Sequence, residues 1–377
     1  MKFINYISIL MILFISIACE TRKEIPLVRI GHAPHDHHAP LYIAAVKQKY
    51  FNSKSGVYLK EVDYKKSYQL FKNDKLIANV QIDSGTGGIN LIRKLDEKII
   101  DLSFGGVPAM IDMIDTGSKI KIVAPVMSEG AALVVGNDIP VSDWDSFIEY
   151  VRNTADPVRI GYKVDKSVQN IIFETALKSE HLSYSRSLSA INVDVVVVNL
   201  HGPKNIIPAL NAKIIDGFVV MQPYPALAEY RGVGKIIAHL RTLPPSHKWE
   251  DHPCCALAAG DDFINNESEV LEALIELFRY ASTFIIENPA ESAEIVSAWL
   301  GTPKDVELTS IPSIKYLNEF SGDWDDGVDF WIKSLVEKGD LSGRVKDSYL
   351  NSNVEKVLYD KSIYNKINQR LADNANK

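Results

Sequence analysis

The chain has little cysteine, no second long apolar run and no concentrated charge, and each shortage closes off a class of protein. Its 377 residues contain 3 cysteines: Cys19 alone near the amino terminus, and the neighbours Cys254 and Cys255. A disulfide framework of the small secreted kind is therefore excluded, and stability has to come from packing. The net charge of −7 is spread without a basic stripe or a block of like charges, which argues against a nucleic-acid partner. The sequence carries no tandem repeat, low-complexity linker, P-loop, nucleophile elbow or zinc-protease motif, so the common signatures of phosphate binding and hydrolysis are missing.

What is present begins with a leader. Residues 1–18 hold Lys2 and then an apolar stretch that ends abruptly at Glu20-Thr21-Arg22-Lys23-Glu24. The stretch is short for a bilayer span, which needs about 20 apolar residues, and it fits a signal segment. Ser16-Ile17-Ala18-Cys19 resembles the lipobox of bacterial lipoproteins, with Ser16 where Leu is usual. On that resemblance residues 1–18 are a signal peptide, Cys19 is the lipidation site and residues 19–26 are a lipid-anchored linker. The expected location is the cell envelope, on the periplasmic or extracellular face of a bacterial membrane. Removal of the leader leaves 377 − 18 = 359 residues, enough for two lobes with apolar cores.

Short β-branched runs alternate with helical stretches, the pattern of an α/β sheet with mostly parallel strands. Strands are expected at 27–31, 56–62, 80–83, 99–104, 120–126, 158–162, 193–200, 214–220 and 255–259, with a polar stretch between the second and third. Helices are expected at 40–51, 91–95, 109–114, 142–151, 168–177, 205–211, 268–288 and 290–300. The remaining carboxyl-terminal stretch reads as helical and polar, anchored by Trp324, Trp331, Leu335 and Tyr349.

The order of these segments resembles the substrate-binding lipoproteins of ABC importers in the nitrate, sulfonate, taurine and thiamine-precursor group. The matching residues are His38-Ala39-Pro40-Leu41-Tyr42-Ile43-Ala44 after the first strand, Ser84-Gly85-Thr86, Phe104-Gly105-Gly106-Val107-Pro108-Ala109, His252-Pro253-Cys254-Cys255-Ala256-Leu257, and Phe284-Ile285-Ile286-Glu287-Asn288-Pro289-Ala290-Glu291. The resemblance implies a type II periplasmic-binding-protein fold: two α/β lobes, two crossover strands, and a ligand in the interlobe cleft. Residues 27–127 plus 255–377 would form lobe 1, and residues 128–254 lobe 2. The implied function is the extracytoplasmic solute-binding component of an importer, a monomer that carries a small organic or anionic solute to permease and ATPase subunits and needs no cofactor. The fold also resembles the fungal thiamine-pyrimidine synthase, but two adjacent cysteines fall short of that enzyme's longer cluster, and a non-enzymatic role is expected.

The ligand-facing residues expected in the cleft are His35, His37, His38, Ser84, Gly85, Thr86, Phe104, Gly106, Val107, Ser128, Glu129, Tyr162, Lys163, Ser167, Gln222, Tyr224 and His252. The turns at Ser84-Gly85-Thr86 and Gly105-Gly106-Val107 offer backbone N–H groups to an anion or carbonyl, although strand-to-helix turns favour such residues anyway. Lys163 is the obvious cation in this set, and no arginine is placed to clamp a sulfonate or phosphate. Tyr162, Tyr224 and Phe104 are candidates to sandwich a flat heteroaromatic ring. Imidazole and thiol together are ligands of zinc or copper, so His38, His252, Cys254 and Cys255, with His35 or His37 as other choices for the first histidine, form an alternative site for a transition metal or a metal-bearing ligand. In an extended segment His35 and His37 would face one way and His38 the other, so not all of them serve as ligands.

Overall fold

The computed structural model describes residues 24–375; the leader and Cys19 lie outside the described residues. The strands form two sheets. The first contains β1 (Leu27–His32), β2 (Val57–Asp63), β3 (Ser67–Lys72), β4 (Lys75–Ser84), β5 (Leu102–Gly106) and β6 (Ile120–Glu129). The second contains β7 (Ala131–Gly136), β8 (Val158–Tyr162), β9 (Tyr184–Ser185), β10 (Val195–Asn199), β11 (Gly217–Met221) and β12 (Gly234–His239). The chain then returns through β13 (Pro253–Gly260) and β14 (Ile314–Tyr316), which complete the first sheet in the order β14-β6-β13-β5-β1-β4-β3-β2. The second sheet runs β12-β7-β11-β8-β10-β9. This is the expected two-lobed α/β architecture, with β6–β7 as the outward crossover and β13 as the return.

In the first sheet β1 pairs parallel to both β4 and β5, so the loops after these strands collect at one edge. In the second, β8 pairs parallel to β10 and β11, and the loops that follow face the first lobe. Such an edge is where open α/β sheets bind ligands. Buried apolar side chains fill the layers between sheets and helices, with the 20-residue helix Ser268–Glu287 packed against the helix Ala39–Val46. The carboxyl-terminal segment is tied down by Trp324, Trp331 and Leu335, all essentially buried, while Tyr349 is half-buried. Trp331 donates its indole N–H to the Pro253 carbonyl at 2.8 Å and stacks on Trp249.

Several elements differ from the sequence expectation for identifiable reasons. The polar stretch after β2 is an antiparallel meander, β2-β3-β4, in which Tyr68, Leu70, Ala78 and Val80 face the core while alternate residues are wet. A strand with one face buried needs only every second residue to be apolar, so it looks polar in sequence. The helix expected over residues 40–51 is two helices, Ala39–Val46 and Gln48–Ser55, broken at Lys47, whose φ of −93° and ψ of 42° leave the helical region. Ile99 and Ile100 belong to the turn that precedes β5, and β12 and β14 add short edge strands.

Candidate functional site

Three histidines enter the cleft from one turn. After β1, His35 is extended and Asp36–His38 forms a 3-10 turn that leads into the helix Ala39–Val46, with Pro40 in its first turn where its missing N–H costs nothing. The turn, rather than an extended segment, directs His35, His37 and His38 into the same cavity. This corrects the expected alternation, which would have split them between two faces. The Tyr42 hydroxyl secures the segment, lying 3.1 Å from the carbonyls of Ala33 and His35 and accepting the His35 N–H at 3.2 Å.

Backbone partners fix the tautomers. The His37 Nε2 lies 2.8 Å from the Gly130 carbonyl, which can only accept, so Nε2 carries a proton, and in the neutral ring Nδ1 presents the lone pair. That Nδ1 lies 3.4 Å from Cys254 Sγ and 3.9 Å from Cys255 Sγ. His38 is the reverse: its Nδ1 accepts the Ala33 N–H at 2.9 Å, which leaves the N–H on Nε2, with the Cys255 thiol as its neighbour. His35 Nδ1 is unpartnered and buried. Burial favours the neutral form of four of the histidines, assisted by repulsion from neighbouring rings: His38 is shifted down, His35 well down, and His32 and His252 are lowered to about 3 and about 4.

Cys254 and Cys255 open β13, where successive side chains would normally face opposite ways. The pairing of β13 with β6 shifts register between Pro253 and Cys255 and again between Cys255 and Ala256. A bulge of this kind re-aims a side chain, and both sulfurs reach the cavity. His37, Cys254 and Cys255 present ligand atoms within 4.8 Å of one another. Neither His38 nor His252 belongs to that set. His252 gives its Nδ1–H to the Trp249 carbonyl at 2.5 Å and its Nε2 stays unpartnered outside that set, so of the histidines weighed from sequence the geometry gathers His37 with the cysteines. The sequence signal for His37 was its place beside His38; its tautomer depends on Gly130, 93 residues away.

The second lobe supplies Lys163, Lys166, Ser167 and Gln169, and Met221 closes one side. Lys163 is buried and makes no ion pair among the described residues; burial lowers its pKa, against the pull of the two cysteines. Lys166 is engaged by Asp112 at 3.1 Å and Asp340 at 3.2 Å. Gln169 points its amide at Cys254 Sγ, 3.6 Å away. The lobes approach closely at Gly88, whose φ of +60° suits glycine and where a Cβ would come 2.6 Å from Val164 Cγ2. The remaining cavity is about 30 Å³, space for two or three water-sized groups at roughly 10–15 Å³ each.

Of the residues expected to face a ligand, His35, His37, His38, Gly106, Lys163 and Ser167 line this cavity. The turn after β4 reaches it two residues later than expected, through Gly87 and Gly88 in place of Ser84, Gly85 and Thr86. Phe104 lies beneath His38 with ring centres 5.4 Å apart, and Val107 is buried in the core. Tyr162 donates its hydroxyl to Asp165, and Tyr224 begins a helix, so the three aromatics do not line the cavity as a sandwich. Ser128 is buried opposite Pro253 in the β6–β13 pairing. Glu129 accepts the Asp251 N–H, and Gln222 accepts from the Ala226 N–H and the Ser310 hydroxyl. His252 packs edge-on to Trp331.

Among the described residues no helix is long and apolar enough to cross a membrane. Comparison with solved structures finds the same fold in the periplasmic nitrate-binding protein of Synechocystis PCC 6803 (TM-score 0.69, 17% identity, 92% of this chain and 89% of that one). It recurs in the ligand-binding component of an ABC-type import system from Staphylococcus aureus, solved with zinc bound (TM-score 0.67, 17% identity, 90% and 98%). The alkanesulfonate-binding protein of Xanthomonas axonopodis pv. citri, solved with MOPS, shares it too (TM-score 0.61, 13% identity, 84% and 94%). An uncharacterised protein of Methanocaldococcus jannaschii is 32% identical over 126 residues, 33% of this chain and 87% of that protein. Over residues 21–301 the chain matches the model of the NMT1-like family, and it belongs to that family.

Proposed function

We propose that this protein is the solute-capturing component of an ABC importer, tethered through a lipid on Cys19 to the outer face of a bacterial membrane and working as a monomer with a permease and an ATPase. The observation that carries the reading is a single narrow cavity walled by both lobes: the histidine turn, Gly87, Gly88, Gly106 and the cysteines on one side, and Lys163, Ser167 and Gln169 on the other. A ligand that touches both walls stabilises the closed arrangement by its differential affinity for it. The fold neighbours are binding components of import systems, which supports binding over catalysis.

The test is native mass spectrometry and small-angle scattering on the full chain in detergent. The expected result is a retained small solute whose removal expands the molecule and whose return compacts it. An unchanged radius of gyration with every retained or added solute, together with no thermal shift from pyrimidines, sulfonates or oxyanions, would overturn the proposal.

A further inference from the structure

We infer that the cavity holds a thiophilic metal ion with a filled d shell, zinc(II) or copper(I), through His37 Nδ1, Cys254 Sγ and Cys255 Sγ, and that this ion is part of what the cleft captures. The inference rests on the solute-capture reading and names the class of cargo. Two thiol sulfurs and one imidazole nitrogen converge within 4.8 Å, a soft donor set that selects zinc or copper(I) over calcium and magnesium. The His37 tautomer is already the binding one. Its Nε2–H is spent on Gly130 O, the outer hydrogen bond by which metal-ligating histidines are usually oriented, and its Nδ1 lone pair faces the sulfurs.

Two further observations point to an occupant. His35 Nδ1 is buried in the cavity wall with no partner among the described residues, and an unsatisfied polar atom in such a place costs free energy unless something fills the space. Lys163 is buried in the same cavity wall with no carboxylate partner among the described residues, leaving its amine free to meet an occupant. The cavity of about 30 Å³ suits an ion with one small additional ligand. With three protein ligands, zinc would have a fourth position left for a small additional ligand, whereas copper(I) would be satisfied by the three.

The site also sits on the hinge. Gly130 separates β6 from β7, the outward crossover, and the cysteines begin β13, the return crossover. An ion on His37 and the cysteines would therefore be bonded to the return crossover directly and linked to the outward crossover through the His37–Gly130 hydrogen bond, while Gln169 reaches Cys254 from the second lobe.

The experiment titrates the full chain, purified under reducing and metal-free conditions, with zinc and separately with copper(I), each against a competing chelator. About one ion per chain is expected, with retention at least about tenfold weaker in Cys254→Ser and in Cys255→Ser. His247→Ala, which removes an exposed surface imidazole, should leave retention unchanged. X-ray absorption on the zinc form should show sulfur neighbours at about 2.3 Å, and this readout decides the matter should the serine variants fail to fold. Absence of stoichiometric uptake, uptake unaffected by the loss of both cysteines, or an absorption spectrum without sulfur would overturn the inference. Scattering on the same samples separates it from the broader reading: lobes that close on an organic solute without metal leave solute capture standing while the metal falls.

Discussion

At the scale of the residue, Gly130 carries more than its size suggests. It has a φ of +65°, and a Cβ there would lie 2.5 Å from Ile314 Cγ1 and 2.9 Å from His37 Nε2. Gly130→Ala is therefore expected to cost about 1–3 kcal/mol in a urea titration, from left-handed strain added to a clash in a packed region. It should also displace His37, so ligand retention should fall more than stability alone explains. A glycine between two apolar strands is readable in sequence as a crossover. That its carbonyl sets the tautomer of a histidine 93 residues earlier is not.

At the scale of the element, the clearest dependence on pH lies in the last helix, Ser362–Ala375, which docks on Ser268–Glu287. Glu272 accepts from Lys366 at 2.6 Å and from Arg370, and Lys72 lies 3.4 Å away. Burial alone would raise its pKa, but these cations outweigh it and hold the carboxyl below its ordinary 4.5. A folded value below the unfolded one means that the contribution is present above the unfolded pKa and is lost as pH falls through the folded value. Glu276, raised by burial against the pull of Arg370, takes its proton earlier and offsets part of that loss. Protection of the last helix against amide exchange, taken relative to the intrinsic rate at each pH, should thus fall on acidification below the ordinary carboxylate range, and Glu272→Ala should show the lower protection already at neutral pH. The helices were legible from their 3.6-residue period, whereas β3 and the break at Lys47 were not. A strand buried on one face is only half apolar, and a helix can break without glycine or proline when two short pieces each bury a better face.

At the scale of the whole molecule, ion pairs bridge the lobes around the cavity. Glu174, 1% exposed in its side chain and part of the second lobe, pairs with Lys338 of the carboxyl-terminal segment at 3.0 Å and with Arg186 at 2.7 Å. Lys166 of the second lobe joins Asp112 and Asp340. Glu174→Gln leaves Lys338 nearly buried without its partner, and should weaken closure by about 1–3 kcal/mol, between the values for exposed and fully buried pairs. Gly88→Val should act the same way through its contact with Val164. In both variants scattering should report a larger ligand-free radius and a weaker response to ligand. The sequence by itself determined the alternation of strands and helices, the two lobes and the presence of imidazole and thiol near the crossovers, because periodicity and turn chemistry are local. Only the tertiary structure decided which nitrogen faces the sulfurs, that a bulge brings Cys254 and Cys255 to one side, and that the aromatics stay out of the cavity. Each of these depends on strands paired across more than a hundred residues, and on backbone carbonyls whose positions no local pattern encodes.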